Sequence, residues 1–235
     1  MTSEVEKFDY VVVGAGSAGC IIANRLSACG KYSVCVVEAG PKDWHPMLHI
    51  PAGFVKTLVN PKFNWMYSSE PSAGTNGRAI PAPRGKVLGG SSSINGMAYV
   101  RGHAFDYNRW AQIDGCQGWS YSDCLPYFKQ AESLDIGGDT YRGSDGPLKV
   151  TAGKMNNPLN KAWIKAGKEA GYPSTEDPNG YQQEGFGRMD MTVDNGRRCS
   201  AAKAYLRQAS TRKGLTITKN TIVNRIIIED GKAIG

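Results

Sequence analysis

The chain has 235 residues, 40% of them hydrophobic and 21% charged, which is enough to bury a core as one large domain or two modest ones and too apolar for a disordered chain. It has no run of apolar residues long enough for a transmembrane segment. The formal net charge of +7 comes from Lys and Arg scattered through glycine-rich and amphipathic segments, with no basic tract or stacking platform, so nucleic acid is excluded as a partner.

Met1–Lys7 is short and acidic, with neither the apolar core of a signal peptide nor the Arg-rich pattern of a transit peptide, and this predicts an intracellular protein. Tyr10–Val13 is a β-branched run that reads as a strand. Gly14-Ala15-Gly16-Ser17-Ala18-Gly19 then gives G-x-G-x-x-G at a strand-to-helix junction. Gly14 allows a tight turn, Gly16 allows backbone to approach a pyrophosphate, and Gly19 allows the helix to pack close to the strand. The free N–H groups of the helix start favour an anion there, so no Lys or Arg is required in the turn and none is present. Ala18, Ile22 and Leu26 share a helical face that is expected to lie on the sheet, with Gly30 as the stop. Ser33–Val37 is a second strand, and Glu38 at its end stands nineteen residues after Gly19, where this motif places the acid that binds a ribose. A carboxylate there would repel a ribose 2′-phosphate, which disfavours NADP and leaves FAD or NAD. A ligand-free βα turn is the competing reading, and the flanking strand, helix and acid argue against it.

From residue 41 to 83, prolines at 41, 46, 51, 61, 71, 81 and 83 alternate with Trp44, Phe54, Phe63, Trp65 and Tyr67. This reads as a long ordered loop, either a lid over a cofactor or a crossover that plugs its own small core. His45 and His49 have helical spacing, but Pro46 between them argues against a shared face and a metal site. The six cysteines form no C-x-x-C pair, and buried free thiols are expected.

Residues Arg84-Gly85-Lys86-Val87-Leu88-Gly89-Gly90-Ser91-Ser92-Ser93-Ile94-Asn95-Gly96-Met97 are dense in glycine and serine, which lets backbone approach a flat ligand and offers it N–H and hydroxyl donors. No serine lies in a G-x-S-x-G elbow. Asn157-Pro158 reads as the cap and first position of a helix ended by Gly171, with Leu159, Trp163, Ala166 and Ala170 on one face. Ser200 can cap a helix through Gln208, and Leu215–Thr218 and Ile222–Glu229 read as strands. Asp230-Gly231 turns the chain. The four residues after it are expected to be too few to pair with the preceding strand, so the chain is read as the N-terminal part of a longer protein.

The first βαβ unit with Glu38-Ala39-Gly40, the Arg84–Met97 stretch, Tyr99-Val100-Arg101-Gly102, Gly118-Trp119-Ser120-Tyr121 and Asp145-Gly146-Pro147-Leu148 together resemble the glucose-methanol-choline family of FAD-dependent alcohol oxidoreductases. Ala170–Pro173, Asn179–Gly187 and Met189-Asp190 are similar to its choline dehydrogenase branch. The resemblance implies an α/β, Rossmann-like FAD-binding domain with the start of an α+β substrate domain, incomplete at the C-terminus. Residues 1–150 would form the FAD-binding domain with the 41–83 lid loop, 151–196 the first part of the substrate domain, and 197–235 a return to the first domain.

By that resemblance Gly14, Gly16, Ser17, Ala18, Gly19, Glu38, Ala39 and the backbone of Val223 would hold the AMP end of FAD. Val87, Gly89, Gly90, Ser91, Asn95, Gly96, Met97 and Ala98 would line the flavin end. The family oxidises a primary alcohol, here choline to betaine aldehyde, by hydride transfer to flavin N5, and hands the electrons to an acceptor that the sequence does not identify. Some members tether the flavin through a histidine in the serine-rich stretch; Ile94 stands at that position here, so non-covalent FAD is expected. Glu38 is expected to matter to FAD affinity rather than to the fold. The family's histidine base matches no residue of this chain. His103 is rejected as a substitute for want of an orienting carboxylate, so no catalytic residue is assigned and the chain alone is expected to be inactive. The resemblance leaves the location open between the cytoplasm and the surface of a respiratory membrane. Three alternatives stand beside this reading: a flavin-binding module without catalysis, another alcohol dehydrogenase or oxidase of the family, and an NAD-linked dehydrogenase.

Overall fold

The computed structural model describes residues 5–235, so the acidic start is covered only from Val5 on. The chain forms two compact units, one holding the residues up to Gly96 and from Ser200 onward, the other Met97–Cys199.

The first unit is built on three parallel strands, β1 (Tyr10–Val13), β2 (Val34–Val37) and β3 (Leu215–Thr218), with β2 in the middle. Val34 faces Tyr10 on one side and Leu215 on the other, and Val36 faces Val12 and Ile217. A central parallel strand is covered on both faces, which is why β2 reads as an unbroken apolar run and buries Val34, Cys35 and Val36. Helix α1 (Ser17–Leu26) carries the chain from β1 to β2. The result is the expected α/β, Rossmann-like arrangement.

The face that α1 buries is not the expected one. Gly19, Cys20, Ala23 and Asn24 are buried, while Ile22 is 47% exposed. Gly19 decides this, because a Cβ there would lie 1.9 Å from the Gly14 carbonyl oxygen. The closest approach of helix to turn is therefore at Gly19. Ala23 and Ser27 follow at four-residue intervals on the same side. Residues 201–209 form another helix of this unit, with a π-helical stretch at Ala202–Leu206. Ser200 Oγ accepts the Lys203 N–H at 3.2 Å, the expected cap, and Asn24 Nδ2 donates to the Tyr205 carbonyl at 2.8 Å.

The 41–83 segment holds short helical turns at Pro46–His49, Pro51–Gly53 and Phe54–Thr57, and an antiparallel pair between Tyr67–Ser68 and Pro81–Ala82. Leu48, Phe63, Val87 and Ile94 pack into a small core beside it. Pro46 opens its turn rather than blocking it, since a proline at the first helical position loses no hydrogen bond. His45 is the cap before that turn, accepting the Met47 N–H at 3.3 Å, and His49 Nε2 lies 2.6 Å from the Asp43 carbonyl oxygen.

Two further expectations change. Ile222–Glu229 is not one strand; only Ile228–Glu229 is extended in a pair, and it does pair, with Lys232–Ala233. Asp230 and Gly231, with φ of 49° and 74°, make a turn tight enough for four following residues to suffice. All six cysteines are free, but only Cys20, Cys35 and Cys199 are buried; Cys29 is exposed and Cys116 and Cys124 are half-buried.

In the second unit the expected helix spans Pro158–Glu169 and is capped by Asn157 Oδ1 on the Leu159 N–H at 2.9 Å. Its apolar positions Leu159 and Trp163 are exposed. Glu132–Leu134 pairs with Leu148–Val150, and Ala98–Tyr99 pairs with Asp190–Met191. A charged core ties these pieces together. Glu132 is fully buried and accepts from Arg101 Nη2 and Arg142 Nη2, each at 2.5 Å, and Arg142 Nη1 also meets Asp177 at 2.5 Å and Asp190 at 2.8 Å. This network joins residues 97–150 to 151–199, so the compact units part at 96/97 and 199/200, whereas the sequence reading drew its functional boundaries at 150 and 196. Burial alone would make the Arg142 guanidinium easier to deprotonate, but its bonds to Glu132 and Asp177 outweigh this and hold it above its ordinary value.

Candidate functional site

At the C-terminal ends of β1 and β2 the first unit encloses a cavity of about 300 Å³. In open parallel sheets ligands bind at this edge, because strand ends and helix starts leave backbone N–H groups without internal partners. Gly14, Gly16, Glu38, Ala39, Gly90 and Val223 of the sequence-predicted residues line it. They come from opposite ends of the chain, from residue 14 to residue 223.

Three local features produce the cavity. Gly14 has φ of +86°, so the chain leaves β1 through a conformation that L side chains rarely adopt. Gly16 caps α1 without any side-chain hydrogen bond, and the first turn carries no acidic residue. The N–H groups at Ser17, Ala18 and Gly19 therefore begin a ten-residue helix whose positive end has no side-chain acceptor. A Cβ on Gly14 or on Gly16 would meet nothing within 4 Å, which leaves open space over the turn.

The second glycine motif closes over the first. A Cβ on Gly90 would stand 2.7 Å from Gly16 Cα, and the Gly89 N–H donates to the Ala15 carbonyl at 2.7 Å. Gly85 in turn lies against Gly90, and its N–H donates to Ser91 Oγ at 3.1 Å. Gly85 and Gly90 thus serve backbone-to-backbone packing.

Glu38 is 5% exposed and sits on the cavity wall. Its Oε2 accepts the Ala15 N–H and its Oε1 the Gly40 N–H, both at 2.8 Å. A carboxylate oxygen has two lone pairs, so each retains one for a ligand hydroxyl. The backbone around it is also fixed, the Glu38 N–H donating to Thr218 and its carbonyl accepting from Thr221.

The remaining sequence-predicted residues lie elsewhere. Val87 is fully buried in the small core with Ile94. Gly89, with φ of +91°, and Ser91 support the contact between the two motifs, while Asn95 and Gly96 are exposed. Met97 and Ala98 belong to the second unit, where the Met97 carbonyl accepts the Thr192 N–H at 2.9 Å and Ala98 pairs with Met191. Sequence reasoning missed Trp65, Gly85, Thr221 and Ile222, which also line the cavity. Trp65 carried a signal, as an aromatic in the proline-rich segment that needs something to pack on, but no spacing rule showed where it would go. It stacks on Tyr67 with centroids 5.9 Å apart, and Lys86 Nζ lies 5.4 Å from its ring centre. His103 caps the helix Ala104–Trp110 through Nδ1 on the Phe105 N–H at 3.2 Å. None of the three histidines lines the cavity.

This donor set fits the nucleotide half of a dinucleotide cofactor: an anion at the helix start, a hydroxyl-binding carboxylate, and glycine backbone with no Cβ in the way. No group of three or more metal-ligating side chains occurs among the described residues, and none of their helices is long and apolar enough to cross a membrane.

Residues 8–235 match the model of the GMC oxidoreductase family. The chain is 50% identical over 230 residues to the oxygen-dependent choline dehydrogenase of Photobacterium profundum, covering 97% of this chain and 40% of that protein. It is 49% identical over 239 residues to the mitochondrial choline dehydrogenase of Homo sapiens, covering 98% and 40%. Among solved structures, pyridoxine 4-oxidase from Mesorbium loti superimposes with a TM-score of 0.91 at 35% identity, covering 97% of this chain and 45% of that one. A formate oxidase superimposes with a TM-score of 0.84 at 26% identity, covering 94% and 40%. The chain thus spans about 40% of the length of the curated relatives it matches.

Proposed function

We propose, from the premise that this chain belongs to the GMC oxidoreductase family, that it forms the FAD-holding part of an enzyme oxidising a primary alcohol, with choline as the substrate. The observation that carries this reading is the meeting of two glycine motifs, Gly14–Gly19 and Gly85–Gly90, around one cavity with Glu38 on its wall. The similarity to choline dehydrogenases supports the choice of alcohol.

When bound, FAD supplies the acceptor for the hydride that leaves the alcohol carbon. The chain's own residues bind and orient. The N–H groups at the start of α1 would hold the diphosphate, the free lone pairs of Glu38 would accept the ribose hydroxyls, and the backbone at Gly14, Gly16, Ala39 and Gly90 would line the space beside them. Val223, on the lining of the same cavity, is left for the adenine. Ile94 is buried in the small core and has no nucleophilic atom, so it would offer the cofactor no covalent tether. The alcohol's proton needs a base within about 2.6 to 3.2 Å of the hydroxyl. His103 spends its Nδ1 on a helix cap and is not that base. The chain by itself therefore binds FAD and does not turn over choline.

Titrating FAD into the purified 235-residue chain and following flavin fluorescence tests the first half, and absence of saturable binding would overturn it. Choline with an artificial electron acceptor tests the second. Steady turnover that His103→Ala abolishes would make His103 the base after all.

A further inference from the structure

Another cavity of the first unit, of about 400 Å³, shares no residue with the one beside Glu38. Its apolar lining is formed by Leu88, Ala202 and Leu206, all buried, and by half-buried Ile217. Lys42, Arg207 and Lys219 line it as well, against a single carboxylate, Asp43. A concave apolar space of this size with a few charged groups on it is the usual form of a small-molecule site. We propose that it binds a small organic acid, one carboxylate on an apolar body.

Two of the three positive charges are unmatched. Asp43 is 4% exposed and its Oδ2 lies 3.4 Å from Arg207 Nη2, so these two answer each other. Among the described residues no carboxylate stands within ion-pair distance of Lys42 or Lys219. Lys42 Nζ lies instead 4.1 Å from the centre of the Trp44 ring, a cation–π contact that orders a side chain otherwise free in solvent. The backbone segments that carry these groups are tied to one another. The Leu88 N–H donates to the Pro41 carbonyl at 3.1 Å, and the Asn220 N–H, next to Lys219, donates to the Gly40 carbonyl at 3.0 Å. Little ordering is then left for a ligand to impose, which favours binding. A carboxylate beside the two unmatched lysines would leave its apolar body against Leu88, Leu206 and Ile217, out of water. The buried Asp43 charge on the same wall opposes a dianion such as a phosphate ester, and the lining contains no glycine that would let backbone cradle one.

The site is separate from the flavin cavity, and its test keeps the two apart. Naphthoate is titrated by calorimetry into the 235-residue chain, with and without saturating FAD, beside the neutral naphthamide of the same shape. One naphthoate per chain is expected to bind, equally well in both samples, and the amide at least about tenfold more weakly. Lys42→Gln and Lys219→Gln should each weaken naphthoate by about fivefold, and Lys219→Arg should stay within about twofold of the parent. Lys42 and Lys219 are exposed, so these variants keep the fold. Lys161→Gln removes the same charge from a residue off the lining and should leave the affinity unchanged. FAD titration of the same sample tests the flavin site on its own. No saturable binding of naphthoate, equal binding of the amide, displacement by FAD or by inorganic phosphate, or a loss in Lys161→Gln as large as in Lys219→Gln would each overturn the proposal.

Discussion

Glu38 Oε2 accepts the Ala15 N–H at 2.8 Å, so the acid at the end of β2 holds the glycine turn at the end of β1. With Oε1 on the Gly40 N–H, one buried carboxylate ties the glycine turn to the chain just after β2 before any ligand arrives. The sequence alone suggested a residue for affinity rather than for fold, and the geometry gives it a part in the fold.

Glu38→Ala is therefore expected to have two effects. It should weaken FAD by about 1.5 to 3 kcal/mol, the range for a hydrogen bond to a charged group. It should also destabilise the chain by about 1 to 3 kcal/mol, because two backbone N–H groups lose their acceptor in a buried setting. Urea unfolding and FAD titration separate the two. An unchanged dissociation constant would remove Glu38 from the binding site, and an unchanged midpoint would remove it from the turn.

Gly14 and Gly90 provide an internal contrast. Both have positive φ, but only at Gly90 would a Cβ collide, 2.7 Å from Gly16 Cα. Gly14→Ala should cost only the conformational strain, about 1 to 2 kcal/mol. Gly90→Ala should cost more and abolish FAD binding, since the two motifs must separate. Equal unfolding midpoints for the two variants would contradict this packing.

Acid precipitation of the FAD-loaded protein should leave the yellow colour in the supernatant, because Ile94 offers no atom for a tether. Flavin absorbance staying with the pellet would show a covalent link.

Arg142→Met should be among the most damaging substitutions in the second unit. It leaves Glu132 and Asp190, both fully buried, without their shared partner, a loss of about 3 to 5 kcal/mol for one broken buried pair. Calorimetric or urea unfolding measures it. A shift no larger than that from breaking the exposed Lys165–Glu169 pair would contradict it.

Stability should fall with rising pH above 9, and Cys20 should carry part of that fall beside Cys35, Cys124 and Tyr99, which burial also raises. The Cys20 thiol is pushed from 9.0 up to about 12, by burial above all, with the Gly89 backbone hydrogen bond opposing and the Glu38 and Asp43 charges adding. The unfolded chain loses this proton first, so between those two pH values the folded state holds more protons and rising pH favours unfolding. The contribution is complete below pH 9 and is lost towards pH 12, at about 1.4 kcal/mol per pH unit. Cys20→Ala should flatten that part of the profile; an identical slope in both proteins would show that the thiol does not carry it.

Sequence by itself determined the βαβ unit, its glycine turn and Glu38, because each rests on short-range rules: apolar period, a glycine where φ must be positive, and a fixed chain length between turn and acid. The same holds for the caps at Asn157 and Ser200. Tertiary structure alone decided which face of α1 is buried, since that depends on Gly19 meeting a carbonyl rather than on the apolar stripe at Ala18, Ile22 and Leu26. It also decided that Gly90 closes on Gly16, that Trp65 and Ile222 join the cavity, and that Arg142 sits among Glu132, Asp177 and Asp190. These are contacts between residues far apart in the chain, chosen by space-filling and by the need to pair buried charge, and no local pattern encodes which partner arrives.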